Sequence, residues 1–260
     1  MHIYIYDAFL SQHKYRNVLA KIETRITDLG LNGKIIRLDV MKNVFDVVEN
    51  ELKRGAKTII AVGSNKIIHQ VINAMLAPGL EPYSHVPLGI IPVGKNNNEI
   101  SQYLGVLPEE KAGDILSARR IESLDVGKIN DNYFLGYASI DSQGTKIEID
   151  EEYSIEILEP GSIKIVNFLF DQKTKNQQKE AIFNPQDGRL ELLIQNNKGK
   201  SFFKSKSNTQ NASIFYFDEI NIINKEKCVL LDEVFSLPCP AKIKISSKKI
   251  NIIVGKNRKF

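Results

Sequence analysis

The first 120 residues alternate short apolar runs with segments of helical spacing, and this alternation constrains the fold more than any other feature. The opening run "HIYIY" precedes a segment in which one helical face carries Val18, Ile22, Ile26 and Leu29. The alternation continues through "KIIRLDV", "VFDVVENELKRG", "KTIIAVG", "KIIHQVINAML" and "PLGIIPVG". Strands separated by single helices form right-handed parallel crossovers. We therefore predict an α/β domain with an open parallel sheet over residues 1–120.

Residues 121–260 follow a different pattern. Short runs such as "TKIEI", "YSIEIL" and "AKIKISS" alternate apolar and polar residues, and turn sequences such as "EPG" and "NPQDG" separate them. This alternation makes one face of a sheet apolar and the other polar, as in antiparallel sheets that pack on one side. We predict an antiparallel β-domain over residues 121–260, with the polar segment "DQKTKNQQKE" as a loop.

Composition excludes several classes of protein. The chain of 260 residues is 42% hydrophobic and 25% charged, which is typical of a globular protein that buries its own core. Its two cysteines, Cys228 and Cys239, match neither a metal-binding nor a redox spacing and indicate free thiols. "MHIYIYDAFL" lacks the basic leader of a signal peptide, and no apolar run is long enough to span a bilayer. We therefore expect a cytoplasmic protein.

The net charge of +4 comes largely from lysine-rich segments of the second half, for example "SFFKSKS". Such a run is usually a solvated face, and the alternative is attraction to an anionic membrane surface or to nucleic acid. Of these two we expect peripheral membrane contact and no specific nucleic-acid partner. The sequence leaves the oligomeric state open.

The segment "AVGSNKIIHQVINAML", which begins at Ala61, has the order of a phosphate-binding loop: a buried strand, a glycine turn and a helix. Open α/β sheets bind ligands where strands end and helices begin, and helix N-terminal N–H groups bind anions there. Gly63 supplies the turn, and Ser64 and Asn65 are residues that favour helix N-caps. Lys66 lies in the first helical turn, where the helix dipole opposes a cation by about 0.3–1 kcal/mol. Either a bound anion offsets this cost or Lys66 is a solvated surface residue.

Five segments, in order along nearly the whole chain, resemble the diacylglycerol-kinase-type lipid kinases. The loop from Ala61 stands where that family has GGDGT followed by "VNEVVNGL", and "PLGIIPVGKNNNEIS" stands where it has "PLGIIPLGTGNDFA". "ESLDVGKINDNYFLGYAS" is similar to the family's passage into its second domain. The two late β motifs correspond to "FNPQDGRLELLI" and "VLLDEVFSLPCPAKIKISSKKINIIV".

The resemblance implies a fold and a function. The fold is an α/β domain of the NAD kinase and diacylglycerol kinase type, followed by an antiparallel β-sandwich. The function is phosphoryl transfer from ATP, with magnesium, to the hydroxyl of a lipid or small alcohol. A nicotinamide-nucleotide kinase shares the broad fold and GGDGT, but "NPQDG" and "LLDEVF" favour the lipid branch.

The resemblance also implies a nucleotide site, in which acidic residues are replaced by amides. Asn65 stands at the aspartate of GGDGT, and Gln70 stands at the glutamate of "VNE". An amide neither neutralises magnesium nor takes a proton, and general-base assistance contributes about 10²–10⁴ in rate. We therefore expect kinase activity that is weak or lost. The alternative is a non-catalytic relative, a pseudokinase, that binds a nucleotide or another anion in the same fold.

The loop after the fourth strand, "GKNNNEIS" from Gly94, leaves its register open. In one register Asn97 and Asn98 replace the family's Asn-Asp pair; in the other, Asn98 and Glu99 do so and a carboxylate is retained. The predicted nucleotide-binding residues of this loop are Gly94, Asn96, Asn97, Asn98 and Glu99. An asparagine-rich turn that caps the next helix is the alternative.

The remaining predicted site residues are acids of the second half. By the resemblance, Asp125 of "LDVG" is a functional acid near the cleft between the domains, and Asp187 of "NPQDG" helps to hold a structural magnesium ion. Asp232 or Glu233 stands near the family's D-G-E, whose glutamate is the base toward the lipid hydroxyl. The intervening glycine is missing, so Glu233 is one position early and its side chain is directed to the opposite face of a strand. Each of these acids also fits an ordinary turn or salt bridge.

Overall fold

A computed structural model describes residues 1–39, 42–94, 98–170, 183–196 and 212–260, with the side chains of 196 and 212 excepted. The chain divides into two compact units. The first comprises Met1–Leu124 with Lys248–Lys259, and the second comprises Asp125–Ser247 with Phe260.

The first unit alternates strands and helices as predicted. Its strands are β1 (His2–Tyr6), β2 (Gly33–Arg37), β3 (Thr58–Gly63) and β4 (Leu88–Pro92). Its helices are α1 (Arg16–Asp28), α2 (Val44–Lys53), α3 (Asn65–Met75), α4 (Glu99–Tyr103) and α5 (Lys111–Ala118). Single 3₁₀ turns lie at Ala8–Ser11, His13–Tyr15 and Glu81–Tyr83.

The sheet of the first unit is parallel, in the order β2-β1-β3-β4. Its central strand, β3, is buried along its whole length, which explains the unbroken apolar run "TIIAVG". The helices pack on this sheet through apolar faces that include Ile22, Ile26, Val48, Leu52, Ile68 and Ile72. The C-terminal ends of β1 and β3 therefore lie side by side, with Tyr6 opposite Val62.

The second unit consists of short strands. They are β6 (Asn132–Phe134), β7 (Tyr137–Asp141), β8 (Thr145–Ile149), β9 (Tyr153–Ile157), β10 (Gly161–Val166), β11 (Glu191–Asn196), β12 (Ala212–Tyr216), β13 (Glu219–Ile223), β14 (Cys228–Leu231) and β15 (Phe235–Pro238). Two further strands belong partly to each unit: β5 (Ile121–Ile129) and β16 (Ala241–Ile253).

Two antiparallel sheets build this unit around one apolar core. One has the order β12-β11-β10-β7-β14-β15, and the other joins β9, β8, β13 and the first half of β16. Both sheets contribute fully buried side chains to the core, among them Ile147, Ile220, Ile243, Ile163, Leu192 and Leu231. The inward positions recur at every second residue, as the alternating sequence indicates.

The predicted fold class, a parallel α/β domain followed by an antiparallel β-sandwich, is confirmed. The division differs from the predicted 1–120 and 121–260, because Lys248–Lys259 belongs to the first unit, where Ile252 pairs with Leu88 of β4. The predicted loop "DQKTKNQQKE" lies outside the described residues. No helix in the described part of the chain is long and apolar enough to cross a membrane.

Candidate functional site

Gly63 ends β3 in a conformation that excludes other residues. Its φ of +145° is rarely adopted by residues with a side chain, and a Cβ built there would lie 2.7 Å from the Cβ of Asp7 and 3.1 Å from Cγ2 of Ile67. The chain therefore turns directly from the buried strand into α3, whose N-terminus follows the carboxyl end of β3. This is the geometry of an anion-binding helix N-terminus.

Ser64 is the N-cap residue of α3, but its side chain makes no capping hydrogen bond. Its hydroxyl instead donates to Oδ2 of Asp7 at 3.3 Å. Asp7 follows β1, and its backbone N–H donates to the carbonyl of Val62 at 3.0 Å. Burial raises the pKa of the Asp7 carboxyl, while the Phe9 N–H, the Ser64 hydroxyl and the charge of Lys66 act against that rise. A carboxylate thus lies beside the loop that would bind a phosphate.

Asn65, at the first position of α3, is 1% exposed. Its Nδ2 donates to Oε2 of Glu99 at 3.0 Å. Its Oδ1 is buried and has no hydrogen-bond partner in the described structure. An unpaired buried carbonyl oxygen costs about 1–3 kcal/mol, so this atom is an acceptor for a donor or a cation that binds here.

Glu99 begins α4 and is partly exposed, so the carboxylate reaches both Asn65 and solvent. Asn98 before it is 6% exposed; its Nδ2 donates to the Gly94 carbonyl at 2.7 Å, and its Oδ1 also lacks a partner among the described residues. In the register that places Asn98 and Glu99 at the family's Asn-Asp pair, a carboxylate is thus retained beside Asn65; the register stays a prediction. The predicted residues Asn96 and Asn97 lie outside the described part of the chain.

Lys66 is exposed, and its charge acts on the Asp7 carboxyl. Gly94 has a φ of +103°, and no atom of the described residues lies within 4 Å of a Cβ built there. The predicted residues Gly63, Ser64, Asn65 and Glu99 are therefore brought together, with Gly94 held to this group through Asn98.

The oxygen atoms of this group suit a hard cation. Asn65 Oδ1, Asn98 Oδ1 and the Glu99 carboxylate are all acceptors, and magnesium takes oxygen ligands. Across the described ranges, no cluster of three or more His, Cys, Asp or Glu side chains is placed to hold a metal ion. Magnesium commonly uses one or two carboxylates and completes its coordination with nucleotide phosphates. The donor set therefore fits magnesium as part of a nucleotide complex.

In the second unit, the structure brings together Asp125 and the turn that contains Asp187. The Asp125 N–H donates to the Pro185 carbonyl at 2.7 Å, and Asp125 Oδ2 accepts from the Gly188 N–H at 2.7 Å. Asp125 is 1% exposed, whereas Asp187 is exposed and its Oδ1 accepts from the Arg189 N–H at 3.0 Å. The metal-binding role of Asp187 stays a prediction.

Asn167, a fully buried residue after β10, links Asp125 to the next acid. Its Nδ2 donates to the carbonyls of Asp125 at 2.8 Å and Leu135 at 2.7 Å. Asp232 in turn accepts from the N–H groups of Leu135 at 2.9 Å and Gly136 at 2.7 Å. Asp125 and Asp232 are therefore parts of one buried polar network of the second unit.

Asp232 and Glu233 form a tight turn between β14 and β15, with φ of +48° and +61°. The Val234 N–H closes the turn on the Leu231 carbonyl at 2.9 Å. The expectation that Glu233 lies on a strand and is directed to its opposite face was wrong, because two positive φ angles are those of a hairpin turn. Asp232 is completely buried and accepts backbone N–H groups, while Glu233 is exposed and accepts a hydrogen bond from the Tyr137 hydroxyl.

Two residues of these groups are not among the residues predicted from the sequence. Asp7 follows the first buried strand, where site residues of open α/β sheets lie, and that position was the available signal. Asn167 carried no such signal, because it joins backbone groups 42 and 32 residues away in the chain.

Comparison with known proteins supports the resemblance. Residues 3–129 match the family model of the diacylglycerol kinase catalytic domain. A "putative lipid kinase" of Staphylococcus haemolyticus is 28% identical over 103 residues, which are 39% of this chain and 32% of that protein. A protein of the same name from Streptococcus pneumoniae is 26% identical over 56% of this chain and 46% of its own length. The matched stretches therefore span less than half of these relatives.

Solved structures show the same fold over the whole chain. A diacylglycerol kinase from Bacillus anthracis superposes with a TM-score of 0.72 and 19% identity, covering 99% of this chain and 98% of that one. An NAD kinase from Archaeoglobus fulgidus, solved in complex with ATP, superposes with a TM-score of 0.59 and 10% identity, covering 99% and 95%. The resemblance to diacylglycerol-kinase-type lipid kinases is thus confirmed: in sequence for the first unit, and in fold for both units.

Proposed function

We propose that the protein binds ATP with magnesium in its first unit and transfers the terminal phosphoryl group slowly to a hydroxyl of a lipid or small alcohol. The observation that carries this proposal is the contact between Asn65 and Glu99 at the N-terminus of α3, within the stretch that matches the kinase family model. Through this contact the carboxylate of Glu99 lies beside Asn65, whose amide stands where the family has an acid.

Phosphoryl transfer requires positioning and charge neutralisation more than covalent work by the protein. The first N–H groups of α3 bind phosphate oxygens, and Gly63, which leaves room for Asp7 and Ile67, makes the turn into this helix. Lys66 adds a positive charge at the same helical turn. A bound magnesium ion would neutralise phosphate charge, and Asn65, Asn98 and Glu99 are the residues that would hold it.

On the acceptor side we assign the base to Glu233 rather than Asp232. Asp232 is buried, and its carboxylate oxygens accept the backbone N–H groups of Leu135 and Gly136. Glu233 is exposed, and the Tyr137 hydroxyl orients its carboxylate. Asp125 accepts a hydrogen bond from the Gly188 N–H, and we assign it a positioning role through this turn.

A second candidate function is nucleotide binding without transfer. It is favoured by the amide at position 65, which stands where the family has an acid and neither neutralises magnesium nor takes a proton. The Asp7 carboxylate, which accepts a hydrogen bond from the Ser64 hydroxyl beside this loop, weakens the binding of a phosphate under either candidate.

Calorimetric titration with ATP, ADP and NADP, with and without magnesium, tests both candidates. We expect ATP to bind with magnesium and the Asn65→Ala variant to bind at least about tenfold more weakly, a loss of about 1.4 kcal/mol. Asn32→Ala, at an exposed position of the same unit, is the matched control. No nucleotide binding at millimolar concentration would remove both candidates.

A phosphate-transfer assay over a panel of diacylglycerols, sphingoid bases and short diols then separates them. Slow transfer that Glu233→Gln abolishes, with ATP affinity unchanged, supports the kinase. Tight binding with no transfer to any acceptor supports the non-catalytic candidate.

A further inference from the structure

We propose that Lys164 is a positioning residue that acts on the carboxylate of Glu233 through the ring and the hydroxyl of Tyr137. The inference deepens the proposed function and rests on it, because it takes Glu233 to be the base toward the acceptor hydroxyl. All three residues belong to the second unit. The proposal also gives a role to a lysine that is buried within a sheet, where lysine is rare.

The pairing of the strands brings the three residues together. β7 lies between β10 and β14, and Tyr137 is its first residue. Lys164 of β10 lies opposite Ser139, so the side chains of Lys164 and Tyr137 are on the same face of the sheet. Glu233 lies in the turn after β14, and the preceding Asp232 donates its N–H to the Tyr137 carbonyl at 2.9 Å. The two strands that flank β7 therefore bring Lys164 and Glu233 to the same tyrosine.

The ring of Tyr137 is held in one place. It is fully buried and stacks on Phe170, with 4.7 Å between the ring centroids and 28° between the ring planes. Gly136 leaves room for this contact, since a Cβ built there would lie 2.5 Å from Cε1 of Phe170. The Tyr137 hydroxyl therefore has a nearly fixed position, from which it donates to Oε1 of Glu233.

Lys164 lies against the ring of Tyr137. The lysine is 8% exposed, and its Nζ lies 4.6 Å from the ring centroid. At this distance the ammonium group is attracted to the face of the ring, and the attraction is stronger where little water is present. A positive charge beside the ring also polarises the phenol, which makes its hydroxyl a stronger hydrogen-bond donor. Lys164 thus strengthens the hydrogen bond that Tyr137 donates to Glu233.

Glu233 needs such a partner because its own surroundings constrain it little. It is exposed in a tight turn, and a long glutamate side chain loses rotamer freedom when it is ordered. A base acts only within hydrogen-bond reach of the proton that it removes, and loss of orientation lowers the rate. A fixed and polarised hydroxyl keeps the carboxylate in one orientation. Lys164 and Tyr137 should therefore raise the kcat of phosphoryl transfer without contributing to ATP binding.

The test uses the full chain in a phosphate-transfer assay with ATP, magnesium and the best acceptor of the lipid and diol panel. The variants are Tyr137→Phe, Lys164→Met, Lys164→Arg and the double variant Tyr137→Phe/Lys164→Met. Lys225→Met and Tyr153→Phe, at exposed positions of the same unit, are the matched controls. The kcat, the KM for ATP and the Tm are measured for each variant. Lys164→Gln replaces Lys164→Met if that variant does not fold.

Tyr137→Phe keeps the ring and removes the hydroxyl, and it should lower kcat about ten- to thirtyfold while the KM for ATP stays within about twofold. Lys164→Met should lower kcat about three- to tenfold. Lys164→Arg should stay within about twofold of the unaltered chain, because a guanidinium also binds the face of an aromatic ring. Both controls should keep the original kcat.

The double variant separates a positioning role from a packing role. Its kcat should be no lower than that of Tyr137→Phe alone, because the lysine then has no hydroxyl through which to act. A lysine that only packed on the ring would still lower kcat in the Tyr137→Phe background, since the ring remains there.

The outcomes distinguish the inference from the proposed function. A chain that transfers phosphate to no acceptor overturns both. If Glu233→Gln abolishes transfer while Tyr137→Phe keeps kcat within about twofold, the proposed function stands and the inference fails. The inference also fails if Lys164→Met lowers kcat equally with and without the Tyr137 hydroxyl, or if Lys164→Arg is as slow as Lys164→Met.

Discussion

The carboxylate of Asp7 lies 3.3 Å from the hydroxyl of Ser64 and accepts its hydrogen bond at the N-terminus of α3. The two residues are 57 positions apart in the chain, and the parallel pairing of β1 with β3 brings them together. The Ser64 hydroxyl therefore donates its hydrogen bond to an acidic side chain of the protein itself. The helix end that would bind a phosphate already has a negative charge next to it, and this charge opposes the binding of a phosphate.

Asp7→Asn should tighten the binding of ATP with magnesium about three- to tenfold, because it removes a negative charge while an amide oxygen still accepts from Ser64. Calorimetric titration at pH 8 measures this change. Asp28→Asn, at an exposed position at the end of α1, is the control for loss of one charge on the same unit. Equal or weaker binding by Asp7→Asn would show that the nucleotide does not approach this carboxylate.

The effect of Asp7→Asn on the free energy of unfolding should depend on pH. Burial raises the pKa of Asp7, so the folded chain holds a proton there at pH values where the unfolded chain has lost it. The free energy of unfolding therefore falls as pH rises from the ordinary value of 3.8 through the raised pKa. Asp7→Asn should remove this fall, and urea unfolding at pH 3.5 and pH 7.5 should show a stabilisation at the higher pH only.

The fold could be predicted because its signals are local. The change from helical spacing to strict alternation near residue 120 marks the boundary between the two architectures. A buried central strand such as β3 appears in the sequence as an unbroken apolar run. The return of Lys248–Lys259 to the first unit could not be predicted, because β16 alternates in the same way on both sides of that division. The strands with which each half of β16 pairs are decided by contacts with distant parts of the chain.

In the candidate site, too, local features could be predicted from the sequence and long-range contacts could not. Gly63, Ser64 and Asn65 follow one another in a strand-turn-helix order, so their proximity is a local property. The contact of Asn65 with Glu99 joins residues 34 apart, and the network of Asn167 spans 42, so no local pattern indicates either. The turn at Asp232 and Glu233 could not be predicted, because Asp and Glu only occasionally adopt positive φ.

Gly63→Ala should lower the free energy of unfolding by about 2–4 kcal/mol, since it combines an unfavourable φ with contact of its Cβ on Asp7. Gly55→Ala separates the two effects. Gly55 has a φ of +84°, and no atom in the described part of the chain lies within 4 Å of a Cβ built there, so its substitution should cost about 1 kcal/mol. Urea unfolding at pH 7.5 measures both variants. Equal losses would mean that the loop at Gly63 has room for a side chain.

Asp232→Asn should destabilise the protein by about 2–4 kcal/mol without changing ATP affinity. Its carboxylate accepts the buried N–H groups of Leu135 and Gly136, and an amide replaces one acceptor oxygen with a donor. Asp131→Asn, at an exposed turn position of the same unit, should be nearly neutral. If Asp232→Asn kept full stability but lost phosphate transfer, the base would be Asp232 rather than Glu233.

Glu191→Gln should remove part of the pH dependence of stability. Glu191 is 7% exposed at the start of β11; burial raises the pKa of its carboxyl to about 7, Asp187 adds to the rise, and Arg189 opposes it. The folded chain then holds this proton up to about pH 7, whereas the unfolded chain loses it near the ordinary value of 4.5. The free energy of unfolding therefore falls as pH rises between these values, and the loss is complete above pH 7.

Because one pKa unit corresponds to about 1.4 kcal/mol, Glu191→Gln should stabilise the chain at pH 8 by about 1–3 kcal/mol relative to its effect at pH 4. Urea unfolding at both pH values, with the exposed Glu226→Gln as control, measures this difference. The prediction fails if the two variants show the same dependence on pH. In that case the Glu191 carboxylate would be ionised and paired at neutral pH, and its burial would be offset by a cation rather than by a proton.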